Sequence, residues 1–179
     1  RTAGFDSIVQ SNLTELSLLV TLILMVIGAS PGSTGGGVKT TTAAVVFLVI
    51  WNRFRGRSTA SAFRRTISQE SKMRAVTILL LAVLALVVVF ALLMFAEPHR
   101  AAHRLSHGWF VDNLFETVSA FGTVGLSLGR TPELGAAGKL LIILTMFGGR
   151  VGLLTLAYAL VKPLKKGEIV YAEESVMIG

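Results

Sequence analysis

Two apolar runs that would otherwise read as one helix are separated by GASPGSTGGGVKTTT, Gly28 to Thr42. From Asn12 to Trp51 only Glu15 and Lys39 are charged. A continuous helix over that stretch would be about 60 Å long at ~1.5 Å per residue, roughly twice the ~30 Å apolar core of a bilayer. Gly28, Pro31, Gly32 and Gly35-Gly36-Gly37 exclude it, because they remove side-chain packing, delete one N–H donor and permit positive φ. Non-helical backbone at membrane depth is stable only where protein buries it or a water-filled cavity receives it. An interruption of this kind points to an ion or substrate path.

Two soluble-enzyme readings fail on context. Gly28-Ala29-Ser30-Pro31-Gly32 fits G-x-S-x-G, but that elbow needs a strand before it and a histidine base. Here an apolar run of helical length precedes it, and the histidines lie far along the chain at 99, 103 and 107. Gly32 to Thr40 comes near a phosphate-binding loop, but Val38 separates Gly37 from Lys39, where G-K must be adjacent. No enzyme activity is expected.

The composition is that of a membrane protein: 53% hydrophobic, 15% charged, mean hydropathy +0.70. A pI near 10.4 would suit nucleic acid, so the placement of the charge decides. Of 17 Lys and Arg, seven lie between Arg53 and Arg74, against the single acid Glu70. A short basic loop between spans is cytoplasmic by the positive-inside rule. It has Phe54 and Phe63 but no recognisable RNA-binding module, so no nucleic-acid partner is expected. With no cysteine there are no disulfides or thiolate metal sites. The opening RTAGF has no initiator Met, signal peptide or helix before it, so the chain reads as part of a longer polypeptide.

In chain order, Ser11 or Asn12 can cap a first half-span, Leu13 to Ile27, with Glu15 in a capping-box position after Asn12, and Val38 to Trp51 forms the second. Ala75 to Ala96 has Thr77 as its only polar side chain and is long enough to span once, outward. The segment from Glu97 to Gly108 is then external. His99, His103 and His107 share a helical face, but Arg100 and Arg104 disfavour a divalent cation, so a solvated linker is expected rather than a zinc or other transition-metal site. WFVDNLFETVSA, Trp109 to Ala120, is too short to span, and FGTVGLS follows it. Thr131-Pro132-Glu133 reads as the start of the last span, Leu134 to Val161. Arg150 lies mid-span in GGRVG, where an arginine needs a partner and implies a function. Lys162, Lys165 and Lys166 return the chain to the cytoplasmic side.

A single offset of 121 residues carries Thr2 onto Thr123, Gly4 onto Gly125, Met25 onto Met146 and Gly28 onto Gly149. Duplicated units account for this. The repeated unit is span, short helix, Thr-x-Gly loop, span. A short helix entering from outside, followed by a glycine-bearing loop, can aim backbone carbonyls at a dehydrated cation, and Thr123-Val124-Gly125 matches the start of the TVGYG filter of potassium channels.

FETVSAFGTVGLS, FGGRVGLLTLAYAL, RTAGF and GASPGSTGGGVKTTT together resemble the Trk/Ktr/HKT superfamily of cation transporters, nearest to the membrane-embedded Ktr subunit of bacteria. The tail IVYAEESVMIG is similar to the ends of Ktr subunits, with Ala172 where proline is usual. The resemblance implies an all-α membrane protein of four span–pore-helix–filter-loop–span units around one pore, potassium-channel-like, with one interrupted transmembrane helix. This chain would supply the end of the third unit (1–52), a basic linker (53–74), the fourth unit (75–161) and a cytoplasmic tail (162–179). Carried over, Thr2, Ala3, Gly4 and Phe5 form the third filter strand, and Thr123, Val124, Gly125 and Leu126 the fourth, binding potassium. Gly28, Ser30, Pro31, Gly32, Ser33, Thr34, Gly35, Gly36, Gly37 and Lys39 form an intramembrane gate loop beneath the filter, with Arg150 facing the pore beside it. Loop carbonyls or the hydroxyls of Ser30, Ser33 and Thr34 are suitable acceptors for Arg150. The implied setting is a multi-pass protein of the bacterial inner membrane, in contact with lipid. The implied partners are a second copy, in a homodimer, and a cytoplasmic nucleotide-binding ring of the KtrA or TrkA kind. That ring would bind the nucleotide and this chain none. Sodium is an alternative cargo, activator or co-ion. The rival class is a broken-helix secondary transporter, and a scaffold subunit is a third option. Neither rival requires the Thr-Val-Gly loop or the 121-residue offset.

Overall fold

The computed structural model describes residues 2–56, 61–62, 65–97 and 108–152. The expectations for His99, His103 and His107, for Lys162, Lys165 and Lys166, and for the C-terminal tail fall outside those residues.

Helix α1, Glu15–Val26, starts at Thr14, whose hydroxyl accepts from the Ser17 amide at 3.4 Å. The cap is therefore Thr14, not Ser11 or Asn12, because Gln10–Asn12 is already a separate 3-10 turn. Helix α2, Thr40–Phe54, follows the glycine-rich loop, so the apolar run is broken as the sequence requires. Its end lies further along than expected, and Arg55 covers the Trp51 ring at 5.0 Å. A two-residue antiparallel pair, Ser61–Ala62 with Arg65–Thr66, precedes helix α3, Gln69–Ala96. The helices thus enter the expected basic linker from both sides.

Helix α3 has 28 residues and a mean hydropathy of 3.4 over its most apolar window, of which 11% is buried. It is about 42 Å long at ~1.5 Å per residue, enough to cross a bilayer. Leu80, Leu84, Val87 and Phe95 all point outward. Water would not tolerate so extended an apolar face, whereas lipid or apolar protein would.

Helix α4, Trp109–Gly122, is the opposite case, since every residue from Phe115 to Gly122 is buried. It is too short to span and packs against α1, α3 and the last helix, α5, Ala136–Val151. Leu18 and Met25 of α1 join Phe115 and Val118 of α4 in one apolar cluster. Leu93 of α3 joins Ala120 and Ile142 in a second. Gly149 of α5 lies so close to the Phe121 carbonyl that any side chain would collide with it. Helix α5 begins two residues after the expected start, and its last described residue, Val151, is followed by Gly152 at φ 91°; the remainder of the expected span, 153–161, lies outside the described residues. The Glu97 carboxylate accepts from the Gly135 amide at 2.7 Å, tying the end of α3 to the positive end of α5.

The 121-residue offset recurs in the elements. It carries the 3-10 turn Gln10–Asn12 onto Thr131–Glu133, and the first residue of α1 onto that of α5.

Candidate functional site

The last turn of α4 closes with the Thr123 amide on the Ala120 carbonyl (3.0 Å) and the Val124 amide on the Ser119 carbonyl (2.9 Å). This double closure needs a left-handed residue, normally glycine. Thr123 takes that place at φ 49° and ψ 42°, a conformation that β-branched residues rarely adopt. Thr2, its counterpart by the offset, is also left-handed at φ 64°. The two segments meet there, with the Thr2 amide donating to the Thr123 carbonyl at 3.1 Å. Gly4 (φ 69°) and Gly125 (φ 92°) lie against each other, and a Cβ on Gly4 would come within 2.7 Å of the Gly125 carbonyl oxygen.

Thr2, Ala3, Gly4, Thr123 and Gly125 border one open cleft of about 480 Å³, with Arg150 at its edge. The other expected filter residues do not line it. Val124 is buried among Leu18 and Phe115, Phe5 stands exposed, and the Leu126 carbonyl accepts from the Ser119 hydroxyl at 2.6 Å, which turns it toward α4. No acidic side chain is among the described residues lining the cleft, so its polarity comes from hydroxyls, backbone dipoles and the Arg150 guanidinium.

The glycine-rich loop is closed at its base by a short parallel bridge. The Gly28 amide donates to Val38 at 2.5 Å and the Val38 amide to Val26 at 3.1 Å. These bonds satisfy backbone that the break in the helix would otherwise leave unpaired. Gly28, Gly35 and Gly36 are buried, while Ser30, Pro31, Gly32, Ser33 and Thr34 form an exposed tip. The loop reaches the end of α4 directly: the Gly36 amide donates to the Thr123 hydroxyl at 2.7 Å, and Gly37 lies beside Gly122. Without a side chain, Gly36 fits between Thr123 and the Phe121 carbonyl.

Lys39 folds its ammonium back over the loop, 2.7 Å from the Gly35 carbonyl and 3.2 Å from that of Ser33. Among the described residues no hydrogen bond joins Arg150 to Ser30, Ser33, Thr34 or a loop carbonyl. Lys39 takes two of the loop carbonyls that Arg150 was expected to use. Arg150 instead borders both the open cleft and a neighbouring cavity of about 260 Å³ that it shares with Gly37, Lys39 and Phe121.

Sequence reasoning missed a polar set behind Gly125. Glu116 of α4 accepts from Ser127 and Thr131, while Asn113 accepts from Arg130. The available signal was an acid near the middle of an apolar-leaning segment too short to span. Such a carboxylate must find donors.

The cation transport protein family TrkH matches residues 1–171. The potassium/sodium uptake protein NtpJ of Enterococcus hirae is 39% identical over the whole chain, which spans 39% of that protein. The Ktr system potassium uptake protein B of Vibrio alginolyticus is also 39% identical over the whole chain, which spans 37% of it. For the Ktr system potassium uptake protein D of Bacillus subtilis the identity is 35%, again over the whole chain, with 38% of that protein covered. The chain therefore spans about two-fifths of the length of these relatives. A two-segment cleft of left-handed threonines and apposed glycines, a broken helix whose loop contacts Thr123, and a family match across nearly all residues lead to one assignment: the chain belongs to the TrkH family of membrane cation transporters.

Proposed function

We propose that this chain forms part of the wall of a potassium path across a bacterial inner membrane. Thr2 to Gly4, Thr123 and Gly125 would present carbonyls to a dehydrated cation, and the loop from Gly28 to Lys39 would act as a gate beneath them. The observation that carries this reading is the apposition of Gly4 and Gly125 at positive φ, next to the Thr2–Thr123 hydrogen bond. Side-chain-free backbone at that point lets carbonyls approach an ion closely. The Thr123 carbonyl gives one lone pair to Thr2 and keeps a second for an ion. The matching turns and helix starts at the 121-residue offset support repeated span–pore-helix–filter–span units, of which α3, α4 and α5 make a complete one. Leu126 and Phe5 belong to the flanks of the filter in this reading.

Two of the relatives are named as members of Ktr systems, which supports a multi-subunit assembly. The proposed partners are a second copy and a cytoplasmic nucleotide-binding ring that acts on the gate loop. Sodium is the second reading for the cargo, favoured by the potassium/sodium uptake name of the Enterococcus relative.

The test is uptake by the full-length gene product in bacterial cells lacking their own potassium uptake. Restored growth at low potassium, together with loss of potassium preference in Gly125→Ser, is expected. Restored sodium uptake without potassium uptake would replace the cargo. Unaltered ion preference in a well-expressed Gly125→Ser would overturn the filter assignment.

A further inference from the structure

The Glu116 carboxylate has no part in the transport reading, yet it is 4% exposed in the middle of α4. One of its oxygens accepts from the Ser127 hydroxyl, and the other accepts from Thr131 Oγ1 at 2.8 Å. The Ser127 oxygen also receives the Gly129 amide at 2.9 Å, which fixes the turn after the filter segment. Asn113 and Ser119 lie three residues to either side of Glu116, on the same general face of the helix. Asn113 Oδ1 accepts from Arg130 Nε at 3.1 Å, and Ser119 Oγ donates to the Leu126 carbonyl at 2.6 Å. Four side-chain hydrogen bonds thus fasten the segment from Leu126 to Thr131 to α4, and Glu116 makes two of them.

A packing role does not need a carboxylate. Leucine or methionine would fill the space without the desolvation penalty of a buried charge. What a carboxylate adds is a rigid pair of strong acceptors, each holding a hydroxyl more tightly than a neutral group would. Both hydroxyls belong to the segment directly after Gly125. Only Leu126 separates Gly125 from Ser127, so a displacement of Ser127 passes straight into the backbone apposed to Gly4.

We propose that Glu116 is a positioning residue for ion selection. By holding Ser127 and Thr131 it fixes the far end of the Thr123–Leu126 strand, and with it the separation of the Gly125 carbonyl from Gly4. This rests on the carbonyl-filter reading of the same strand. The role is indirect, since Glu116 does not line the cleft.

The experiment compares potassium and sodium uptake by the full-length gene product carrying Glu116→Ala, Glu116→Gln, Ser127→Ala or Thr131→Val, each normalised to its abundance in the membrane. Glu116→Ala should reduce the potassium-over-sodium preference by about ten-fold or more, equivalent to about 1.4 kcal/mol of discrimination. Glu116→Gln keeps the shape and one acceptor oxygen and should fall between wild type and Glu116→Ala. Ser127→Ala and Thr131→Val should each cause a smaller loss in the same direction. A merely structural role would lower abundance and the uptake of both ions together, leaving the ratio unmoved. If Glu116→Ala does not accumulate, Glu116→Gln, Ser127→Ala and Thr131→Val decide the matter. Wild-type uptake with an unchanged ratio in those three would overturn the positioning role alone. Wild-type protein that takes up neither ion would overturn the transport reading and this role with it.

Discussion

The Gly36 amide donates to the Thr123 hydroxyl across 2.7 Å, joining the glycine-rich loop to the residue where α4 turns into the candidate filter. Thr123 pays for a left-handed backbone that glycine would adopt freely, a strain of about 1–3 kcal/mol. The hydroxyl is what glycine could not supply. The proposed gate loop and the proposed filter therefore share a contact, and a loop that withdrew would leave Thr123 without its partner.

Thr123→Val tests that link. Valine keeps the β-branch and the volume but leaves the buried Gly36 amide unsatisfied, a loss of about 1–3 kcal/mol. The loop should detach more readily, raising cation flux and reducing its dependence on a cytoplasmic partner. Thr123→Ser keeps the acceptor and should behave as wild type. Hydrogen exchange at Gly36 measures the link directly: faster exchange is expected in the valine variant alone, and equal protection in all three proteins would refute it.

Gly4 and Gly125 should fail reciprocally. A Cβ on Gly125 would sit 3.0 Å from the Gly4 Cα and 3.1 Å from its nitrogen, in a conformation at φ 92° that is strained for any side chain. Alanine at either position should therefore reduce potassium preference to a similar degree. Because each substitution disrupts the same contact, the double variant should be no worse than about the more severe single one. Additive losses, read from potassium and sodium uptake, would mean that the glycines act at separate sites.

Much of this was legible in the sequence because the relevant signals are local. The break at Gly28–Gly37, the short α4, and the Thr2/Thr123 and Gly4/Gly125 pairs all follow from residue type and spacing. What the sequence hid was partner choice. Lys39 and Arg150 are both cations near an acceptor-rich loop, and only the fold shows that Lys39, at the foot of α2, reaches the Gly35 and Ser33 carbonyls. Filter and gate likewise read as separate levels of one path, because 87 residues of chain separate Gly36 from Thr123. The Glu116 bonds went unseen for the same reason: their donors lie beyond the filter, 11 and 15 residues on. The cap of α1 shifted to Thr14 because a 3-10 turn already occupies Gln10–Asn12.

Sidedness gives an independent check on the topology. The basic segment between α2 and α3 should face the cytoplasm and the segment between α3 and α4 the outside. The chain has no cysteine, so Ser61→Cys and Ser106→Cys can be labelled without background from this part of the protein. An impermeant thiol reagent added outside should modify Ser106→Cys and spare Ser61→Cys. The reverse pattern would invert α3 and place the loop from Gly28 to Lys39 on the outer side of the filter.

Lys39 and Arg150 border one cavity of about 260 Å³ beside the loop, and their charges should act in different ways. Lys39 is spent on the loop itself: its two carbonyl contacts hold the segment from Ser33 to Gly35 folded. Lys39→Met keeps the length and apolar stem but loses both bonds, each worth about 1.5–3 kcal/mol to a charged donor, less where water screens them. The loop should loosen and flux should rise. Arg150 has no hydrogen-bond partner among the described residues and borders the candidate filter cleft as well, so in the proposed reading its charge should repel an entering cation. Arg150→Ala should also raise flux, but by lowering an electrostatic barrier, so its effect should shrink as ionic strength rises while that of Lys39→Met persists. Deleting Gly35–Gly37 removes the Gly35 partner of Lys39 together with the Gly36 partner of Thr123 and should exceed either substitution. Flux below wild type in a well-expressed Arg150→Ala or deletion variant would show that this loop is needed for conduction rather than for closure.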